Sequence, residues 1–119
     1  IMMAVPTIYH RLLDTVSSLD ALTREAALAA TREMRVTVCG SAACPPSVIE
    51  AWEALTGHRL LERYGMTEVG MALSNPLHRP RHVGYVGQAL PSVQVRIVVP
   101  ETEEEAGSGV EGELRVKGG

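Results

Sequence analysis

The chain has 119 residues, of which 45% are hydrophobic and 21% carry a charge, which is the composition of a globular protein rather than of a disordered segment. Its formal net charge of −3 offers no basic footprint for nucleic acid or for an acidic membrane, so we expect no nucleic-acid partner. No apolar run approaches the roughly 18 residues that a membrane span requires. Composition and charge therefore exclude nucleic-acid-binding and membrane-spanning classes.

The two cysteines, Cys39 and Cys44, lie five positions apart around a predicted turn. This spacing fits free thiols in a reducing compartment better than a disulfide framework or a zinc site, for which a second pair of ligands is lacking. We therefore expect a cytoplasmic protein, and a mitochondrial location stays open because a targeting segment could precede residue 1. His78 and His82 lie among prolines in a predicted loop and are not expected to form a metal site.

Two helices are predicted at the start of the chain. Pro6 suits the first turn of a helix, and apolar residues then recur at helical spacing until Ser17 and Ser18 interrupt the pattern. A second helix is predicted over residues 19–34. Its inward face is expected to comprise Leu22, Ala26, Ala29, Ala30 and Met34.

A strand, a helix and a second strand are predicted next. Residues 36–39 alternate and are rich in β-branched side chains, which indicates a buried strand. The helix is predicted to begin after a pair of prolines, with Ser47 and Glu50 as a capping box, and to end at Gly57. Residues 59–62 indicate the second buried strand. This order is typical of an α/β layer, in which ligands gather beyond the carboxyl ends of the strands.

The second half of the chain has a different pattern. Residues 71–92 are rich in proline and glycine and predict a loop, after which residues 93–99 alternate as a strand. An acidic connection leads to a partner strand at residues 113–117, so an antiparallel hairpin is expected. The acidic run at residues 103–105 is predicted to be a solvated tip.

The stretch at residues 60–70 carries most of the functional information. Tyr64 offers a flat face for stacking, and Gly65 allows a ligand or another backbone to approach closely. Thr67 offers a hydroxyl donor for an anionic oxygen, and Glu68 a hard carboxylate suited to Mg²⁺. These residue types suit an ATP site. They also leave open a strand-to-loop transition in which Tyr64 belongs to the core, Gly65 forms a turn and Glu68 is solvated.

Residues 64–68, which read YGMTE, resemble the YGxTE signature of the adenylate-forming (AMP-binding) acyl-CoA synthetase superfamily. Three further stretches resemble motifs of that family in the same order: GSAACP at residues 40–45, GYVGQALP at residues 84–91 and GELRVKG at residues 112–118. The resemblance implies an internal fragment of the large N-terminal domain, with residues 1–92 in its αβ subdomain and residues 93–119 as the hairpin that begins the next β subdomain. The isolated chain is then expected to be inactive and loosely folded, because buried parallel strands need neighbours on both sides.

The resemblance further implies a two-step reaction that uses ATP, Mg²⁺ and coenzyme A. A carboxylate attacks the α-phosphate of ATP to give an acyl-adenylate and pyrophosphate, and the thiol of coenzyme A then displaces AMP. Carried onto this sequence, Thr67 and Glu68 are the expected catalytic residues, and Glu68 would hold Mg²⁺. Nucleotide binding is assigned to Ser41, Ala42, Ala43, Tyr64, Gly65, Met66 and Thr67.

The sequence of residues 62–77, ERYGMTEVGMALSNPL, is most similar to that of the malonyl- and methylmalonyl-CoA synthetases. Arg63 stands directly before the tyrosine, where its guanidinium can hold the second carboxylate of a short dicarboxylic acid. Pairing of Arg63 with Glu62, or simple solvation, is the alternative. Another acyl- or aryl-CoA synthetase, or a truncated nucleotide-binding protein without turnover, stays open as the function, and no oligomeric state is predicted. Ser92 replaces the glycine usual in the family, which costs about 1 kcal/mol if its φ is positive.

Overall fold

The structure is a computed structural model that describes residues 1–118, and Gly119, the last residue of the predicted hairpin region, lies outside the described residues. Residues 1–118 form three helices and seven strands. The helices are α1 (Pro6–Ser18), α2 (Ala21–Arg32) and α3 (Pro46–Thr56), and the strands are β1 (Met2–Ala4), β2 (Thr37–Cys39), β3 (Leu61–Met66), β4 (Gly70–Ser74), β5 (Gln88–Ala89), β6 (Gln94–Val98) and β7 (Glu113–Lys117). None of the helices in this part of the chain is long and apolar enough to cross a membrane.

The first five strands form one sheet in the order β1-β2-β3-β4-β5. Strands β1, β2 and β3 are parallel, whereas β4 pairs antiparallel with β3, and β5 antiparallel with β4. Helices α1 and α2 connect β1 to β2, and α3 connects β2 to β3, as parallel pairs require. The expected α/β class is confirmed. Strand β1 was not predicted, because three apolar residues at the start of a chain carry no periodicity.

The main core lies between the sheet and the helices. It is built around Tyr9 of α1, Ile49 and Trp52 of α3, and Leu60, all of which are almost completely buried. The hydroxyl of Tyr9 donates a hydrogen bond of 2.8 Å to the carbonyl oxygen of Val38, and its ring meets that of Trp52 edge-on at 4.9 Å. Tyr9 therefore ties α1 to both α3 and strand β2.

The predicted inward face of the second helix is wrong at four of its five residues, and the fifth, Met34, is half-buried but lies beyond the end of α2. Leu22 is 86% exposed and Ala26, Ala29 and Ala30 are exposed too, while Leu28 is the buried residue of α2. Alanine is tolerated on either face of a helix, so a face assigned mainly through alanines has little to define it. The helix is also shorter than predicted, because Asp20 caps it by accepting hydrogen bonds of 3.1 Å from the backbone nitrogens of Leu22 and Thr23.

The start of α3 also differs from the prediction, whereas its end agrees. Pro45 is the N-cap and no side chain caps this helix, so Ser47 and Glu50 lie within the helix instead of forming a capping box. Pro46 suits the first helical position because its φ is fixed and it needs no hydrogen-bond acceptor, so the helix begins before Ser47. Gly57 ends α3 in the left-handed conformation, at a φ of 79°.

The chain beyond residue 60 is more regular than expected. Strand β3 continues through the tyrosine to Met66 and pairs with β4, with a register shift between Tyr64 and Gly65. The prediction that residues 71–92 form a loop is therefore wrong for β4 and β5. The sequence MALS within β4 lacks β-branched residues, so its strand character comes from pairing rather than from propensity.

Strands β6 and β7 form the antiparallel hairpin that the sequence indicates. Val98 is fully buried within it, and the acidic residues 103–105 are exposed, although the Glu103 carboxylate accepts hydrogen bonds from the guanidinium of Arg115. Ser92, which precedes β6, has a φ of 71°, so the turn does impose the left-handed conformation that favours glycine. The radius of gyration is 16.9 Å, compared with about 13.5 Å for a compact domain of this length. The hairpin therefore extends away from the larger sheet.

We predict that Tyr9→Phe lowers the free energy of unfolding by about 1 kcal/mol, because it removes a buried hydrogen bond and leaves the ring packing intact. The change would appear as a lower urea midpoint in the protein expressed from its complete reading frame. Tyr85→Phe is the matched control, since Tyr85 is 69% exposed, and it should change the stability by less than about 0.5 kcal/mol. Equal effects of the two substitutions would contradict the role assigned to Tyr9.

Candidate functional site

A cavity of about 310 Å³ lies between the turn that follows β2 and residues 62–65 of β3. It is lined by Cys39, Ser41, Ala42, Ala43, Glu62, Arg63, Tyr64, Gly65 and Val86. Most of the predicted nucleotide and substrate residues are in this set, although they come from two stretches some twenty residues apart in sequence. They meet because the carboxyl ends of parallel neighbouring strands share one edge of the sheet.

The turn after β2 forms the first wall. Ser41 adopts the left-handed conformation, with a φ of 69°, and turns the chain away from the sheet directly after Gly40. Cys44 then anchors the far end of the turn in the main core, where it is 5% exposed. Ser41, Ala42 and Ala43 are exposed between these two fixed points and present small side chains and backbone to the cavity.

The second wall is the end of β3. Tyr64 is half-buried and lines the cavity, so it differs from the fully buried Tyr9 and is not a core residue. A Cβ atom on Gly65 would lie 2.4 Å from the carbonyl oxygen of Gly70. The backbone that approaches Gly65 closely is therefore that of β4. The other side of Gly65 is open to the cavity.

Three of the predicted site residues lie outside this lining. Met66 is the last residue of β3, and Thr67 and Glu68 follow it in the exposed turn to β4. No group of three or more His, Cys, Asp or Glu residues is placed to hold a metal within residues 1–118. A single exposed carboxylate still fits Mg²⁺, which is usually bound through one or two carboxylates together with substrate phosphates and water.

Arg63 carries a guanidinium without a carboxylate partner among the described residues. Its stem packs across Gly40, where an added Cβ atom would lie 3.1 Å from the Arg63 Cγ. One terminal nitrogen donates to the Met71 sulfur at 3.1 Å, and Nε is buried without any partner within residues 1–118. Sulfur is a weak acceptor, so most of the hydrogen-bonding capacity of this cation is unused.

The alternative of an Arg63–Glu62 pair is wrong. Successive residues of a strand point to opposite faces, and the Glu62 carboxylate instead accepts a hydrogen bond of 3.2 Å from the backbone nitrogen of Gly84. Glu62 is only 6% exposed. Burial raises the pKa of its carboxyl, and the Gly84 hydrogen bond opposes this shift.

The role of Glu62 was not foreseen from the sequence. The available signal was a charged residue in the middle of a strand read as buried, between Leu61 and the tyrosine motif. A buried acid in such a position needs a donor, and its partner, Gly84, belongs to another of the family-like stretches.

The two cysteines are free and buried, as the sequence predicts. Burial raises the pKa of the Cys39 thiol to about 12, and burial also raises that of Cys44. Both thiols are therefore protonated near neutral pH and serve as small apolar side chains rather than as nucleophiles.

We predict that Glu62→Gln changes the pH dependence of stability. The carboxyl is protonated in both states below its ordinary pKa of 4.5, and the folded protein retains the proton to higher pH than the unfolded chain does. Stability is therefore lost as the pH rises from 4.5 through the raised pKa of the folded state. The glutamine variant avoids this loss, so its advantage over the natural protein in urea unfolding should grow between pH 4 and pH 7.

Glu111→Gln removes the same charge from an exposed position and controls for the change in net charge. A constant difference between Glu62→Gln and the natural protein across the same pH range would contradict the raised pKa.

Known proteins resemble this chain at the level of family, sequence and structure. The AMP-binding enzyme family matches residues 1–119. A mitochondrial malonate–CoA ligase of Xenopus laevis is 50% identical over 91% of this chain, and a malonate–CoA ligase of Arabidopsis thaliana is 45% identical over 95% of it. The crystal structure of ATP-bound MatB from Rhodopseudomonas palustris superposes with a TM-score of 0.82 over 98% of the chain, at 45% identity.

The chain spans about a fifth of the length of these proteins, 19% and 18% of the two ligases and 22% of the MatB chain. The family match nevertheless covers the whole sequence, and the strong identities extend over almost all of it. This chain belongs to the AMP-binding enzyme family.

Proposed function

We propose that the complete protein is an AMP-forming acid–thiol ligase that activates malonate or methylmalonate and transfers it to coenzyme A. The observation that carries this proposal is the guanidinium of Arg63, which stands without a carboxylate partner beside Tyr64 and the 41–43 turn. An unpaired cation in a cavity of this kind favours an anionic ligand. The similar ligases of frog and plant act on malonate, which supports the same class of acid here.

The nucleotide would occupy the cavity between its two walls. Tyr64 offers its ring for stacking on adenine, and residues 41–43 offer backbone and small side chains along the opposite face. Thr67 and Met66 follow at the end of β3, where the hydroxyl of Thr67 would donate to the α-phosphate. The ATP-bound state of the similar MatB structure supports ATP as the nucleotide.

Glu68 would hold Mg²⁺, which supplies charge neutralisation at the phosphates when bound. The acyl-transfer reaction needs little covalent catalysis by these residues. Arg63 would fix the distal carboxylate of the acid, so that the other carboxylate faces the α-phosphate and attacks it. Pyrophosphate then leaves, and the thiol of coenzyme A displaces AMP from the acyl-adenylate. A related malonyl-CoA ligase has been crystallised with methylmalonyl-CoA and AMP, which supports this pair of products.

The compartment remains a prediction. The two free thiols favour a reducing environment such as the cytoplasm. The frog relative is a mitochondrial protein, which supports the mitochondrion as the alternative.

We expect the protein expressed from its complete reading frame to form AMP and pyrophosphate in step with the thioester when given ATP, Mg²⁺, coenzyme A and malonate. Glu68→Gln should lower kcat by at least about tenfold, because a neutral amide holds Mg²⁺ poorly. Raising the Mg²⁺ concentration should recover part of the loss. Release of ADP and phosphate in place of AMP and pyrophosphate would overturn the reaction class.

We expect Arg63→Met to weaken the transition-state binding of malonate by about 2–5 kcal/mol, measured as kcat/KM, because a buried charge loses its partner. Butyrate lacks the second charge and should be affected far less. Gly40→Ala is a milder variant, since its methyl group would lie 3.1 Å from the Arg63 Cγ and 3.2 Å from the Arg63 carbonyl oxygen, and would shift Arg63 without removing the charge. Equal losses for malonate and butyrate in Arg63→Met would show that Arg63 has a structural role.

A further inference from the structure

Residues 83–87 form a loop that closes one side of the cavity, and we call it the roof loop. Among its residues only Val86 lines the cavity, next to Tyr64. The roof loop is not part of β3 or of the 41–43 turn, and it reaches the site from more than twenty residues further along the chain. Its position therefore depends on what holds it.

Glu62 provides the first attachment. Its carboxylate accepts the hydrogen bond from the Gly84 nitrogen, and it is one of very few charged groups that this part of the chain buries so completely. The position of Gly84 is unusual as well, because its φ is +80°. A buried carboxylate that accepts a hydrogen bond from a loop backbone holds that backbone more strongly than a neutral acceptor at the same position would.

Asn75 provides the second attachment. It is 5% exposed and stands directly after β4. Its side-chain nitrogen donates to the carbonyl oxygens of Tyr85 and Glu62, while its backbone nitrogen donates to the Glu62 carbonyl oxygen at 3.0 Å. One buried amide thus joins the roof loop to β3 and β4 at once.

The two ends of the roof loop are fixed by packing. Val83 packs against the main core. Gly87 lies so close to the end of β4 that an added Cβ atom would be 2.1 Å from the carbonyl oxygen of Ser74 and 2.3 Å from the nitrogen of Asn75. The packing of Val83, the hydrogen bonds of Gly84 and Tyr85 and the close approach of Gly87 to β4 therefore fix the position of the roof loop, in which Val86 lines the cavity.

We propose that Glu62 and Asn75 are positioning residues for nucleotide binding, which hold the roof loop so that Val86 forms an apolar wall of the ATP cavity. This rests on the proposed function, because it takes the cavity to be the ATP site. Loss of either attachment frees the loop, and the nucleotide must then order it on binding. The effect falls on ATP affinity rather than on the chemical step.

The test uses the protein from its complete reading frame and compares Glu62→Ala, Asn75→Ala and Glu62→Gln. Loss of one buried hydrogen bond corresponds to about tenfold in an equilibrium constant, so each alanine variant should raise the Kd and KM for ATP by about fivefold to twentyfold. The kcat and the KM for malonate should change by less than about threefold. Glu62→Gln keeps a carbonyl oxygen for the Gly84 nitrogen and should recover most of the lost ATP affinity.

Thr56→Ala is the matched control for a general loss of stability. Thr56 is 3% exposed and its hydroxyl donates to the carbonyl oxygen of Trp52 within α3, away from the cavity. Hydrogen exchange adds a direct readout: Glu62→Ala and Asn75→Ala should speed exchange in residues 83–87, ATP should slow it in the natural protein, and Thr56→Ala should leave it unchanged.

Three results would overturn the proposal. They are an equal rise in the Kd for ATP in Thr56→Ala, a loss confined to kcat in the alanine variants, and no ATP binding by the natural protein in a calorimetric titration without malonate. Binding of ATP that responds to Glu62 and Asn75 as described, without malonate-dependent release of AMP, would instead leave the roof-loop proposal standing and overturn the proposed reaction.

Discussion

The parallel pairing of β2 with β3 is the constraint on which the site depends. Val38 lies beside Leu61 and Cys39 beside Glu62, so β2 ends beside Glu62 while β3 continues to Met66. The 41–43 turn therefore lies beside residues 63–65 of β3, and the two share one cavity. A shift of this register by a single residue would exchange the faces of Leu61 and Glu62, which would separate the carboxylate from Gly84 and move an apolar side chain out of its buried cluster. Burial of apolar residues on both faces thus fixes the relative position of the functional groups.

Glu62 and Arg63 show how a strand keeps two opposite charges apart although they are neighbours in sequence. Alternation directs them to opposite faces, so neither neutralises the other. Glu62 is stabilised by a backbone N–H group, and Arg63 has a sulfur contact and a buried Nε without a partner among the described residues. Arg63 is half-buried and only its Nε is enclosed. Enclosing a polar donor without a partner costs free energy, which a ligand can offset by completing its hydrogen bonds. This asymmetry between the two residues supports the proposal that the acid substrate, and not a side chain, pairs with Arg63.

Much of the fold followed from local patterns, and the differences have identifiable causes. The β-branched run ending at Cys39 and the helix ending at Gly57 were predicted because alternation and a left-handed glycine are local signals. The inward face of α2 was wrong because alanines do not define a face, and β4 was missed because its strand character depends on its partner β3. Long-range attachments of this kind leave no periodic trace in a sequence.

The residues of the candidate site likewise divide into those that were predicted from the sequence and those that were not. The cavity contains Tyr64, Arg63 and the 41–43 turn, which stand in recognisable motifs and were predicted. Glu62 and Asn75 were not, because their partners are backbone groups of a loop 22 and 10 residues away in sequence. A side chain that binds a backbone amide can be recognised only when the path of that backbone is known. The roles of Thr67 and Glu68 stay predictions, since both lie in the exposed turn after β3.

Glycines allow β3 and the roof loop, which line the cavity, to pack closely against β4. A Cβ atom added at Gly65 would lie 2.4 Å from the Gly70 carbonyl oxygen, and one added at Gly87 would lie 2.1 Å from the Ser74 carbonyl oxygen. In both cases the obstacle is backbone. At Gly40 the nearest obstacles are the flexible stem of Arg63 at 3.1 Å and the Arg63 carbonyl oxygen at 3.2 Å. A methyl group at Gly65 or Gly87 must move backbone, whereas at Gly40 it meets the side chain and the backbone of Arg63 at longer range. Substitution is therefore least tolerated at Gly65 and Gly87, while the position of the Arg63 guanidinium depends on Gly40.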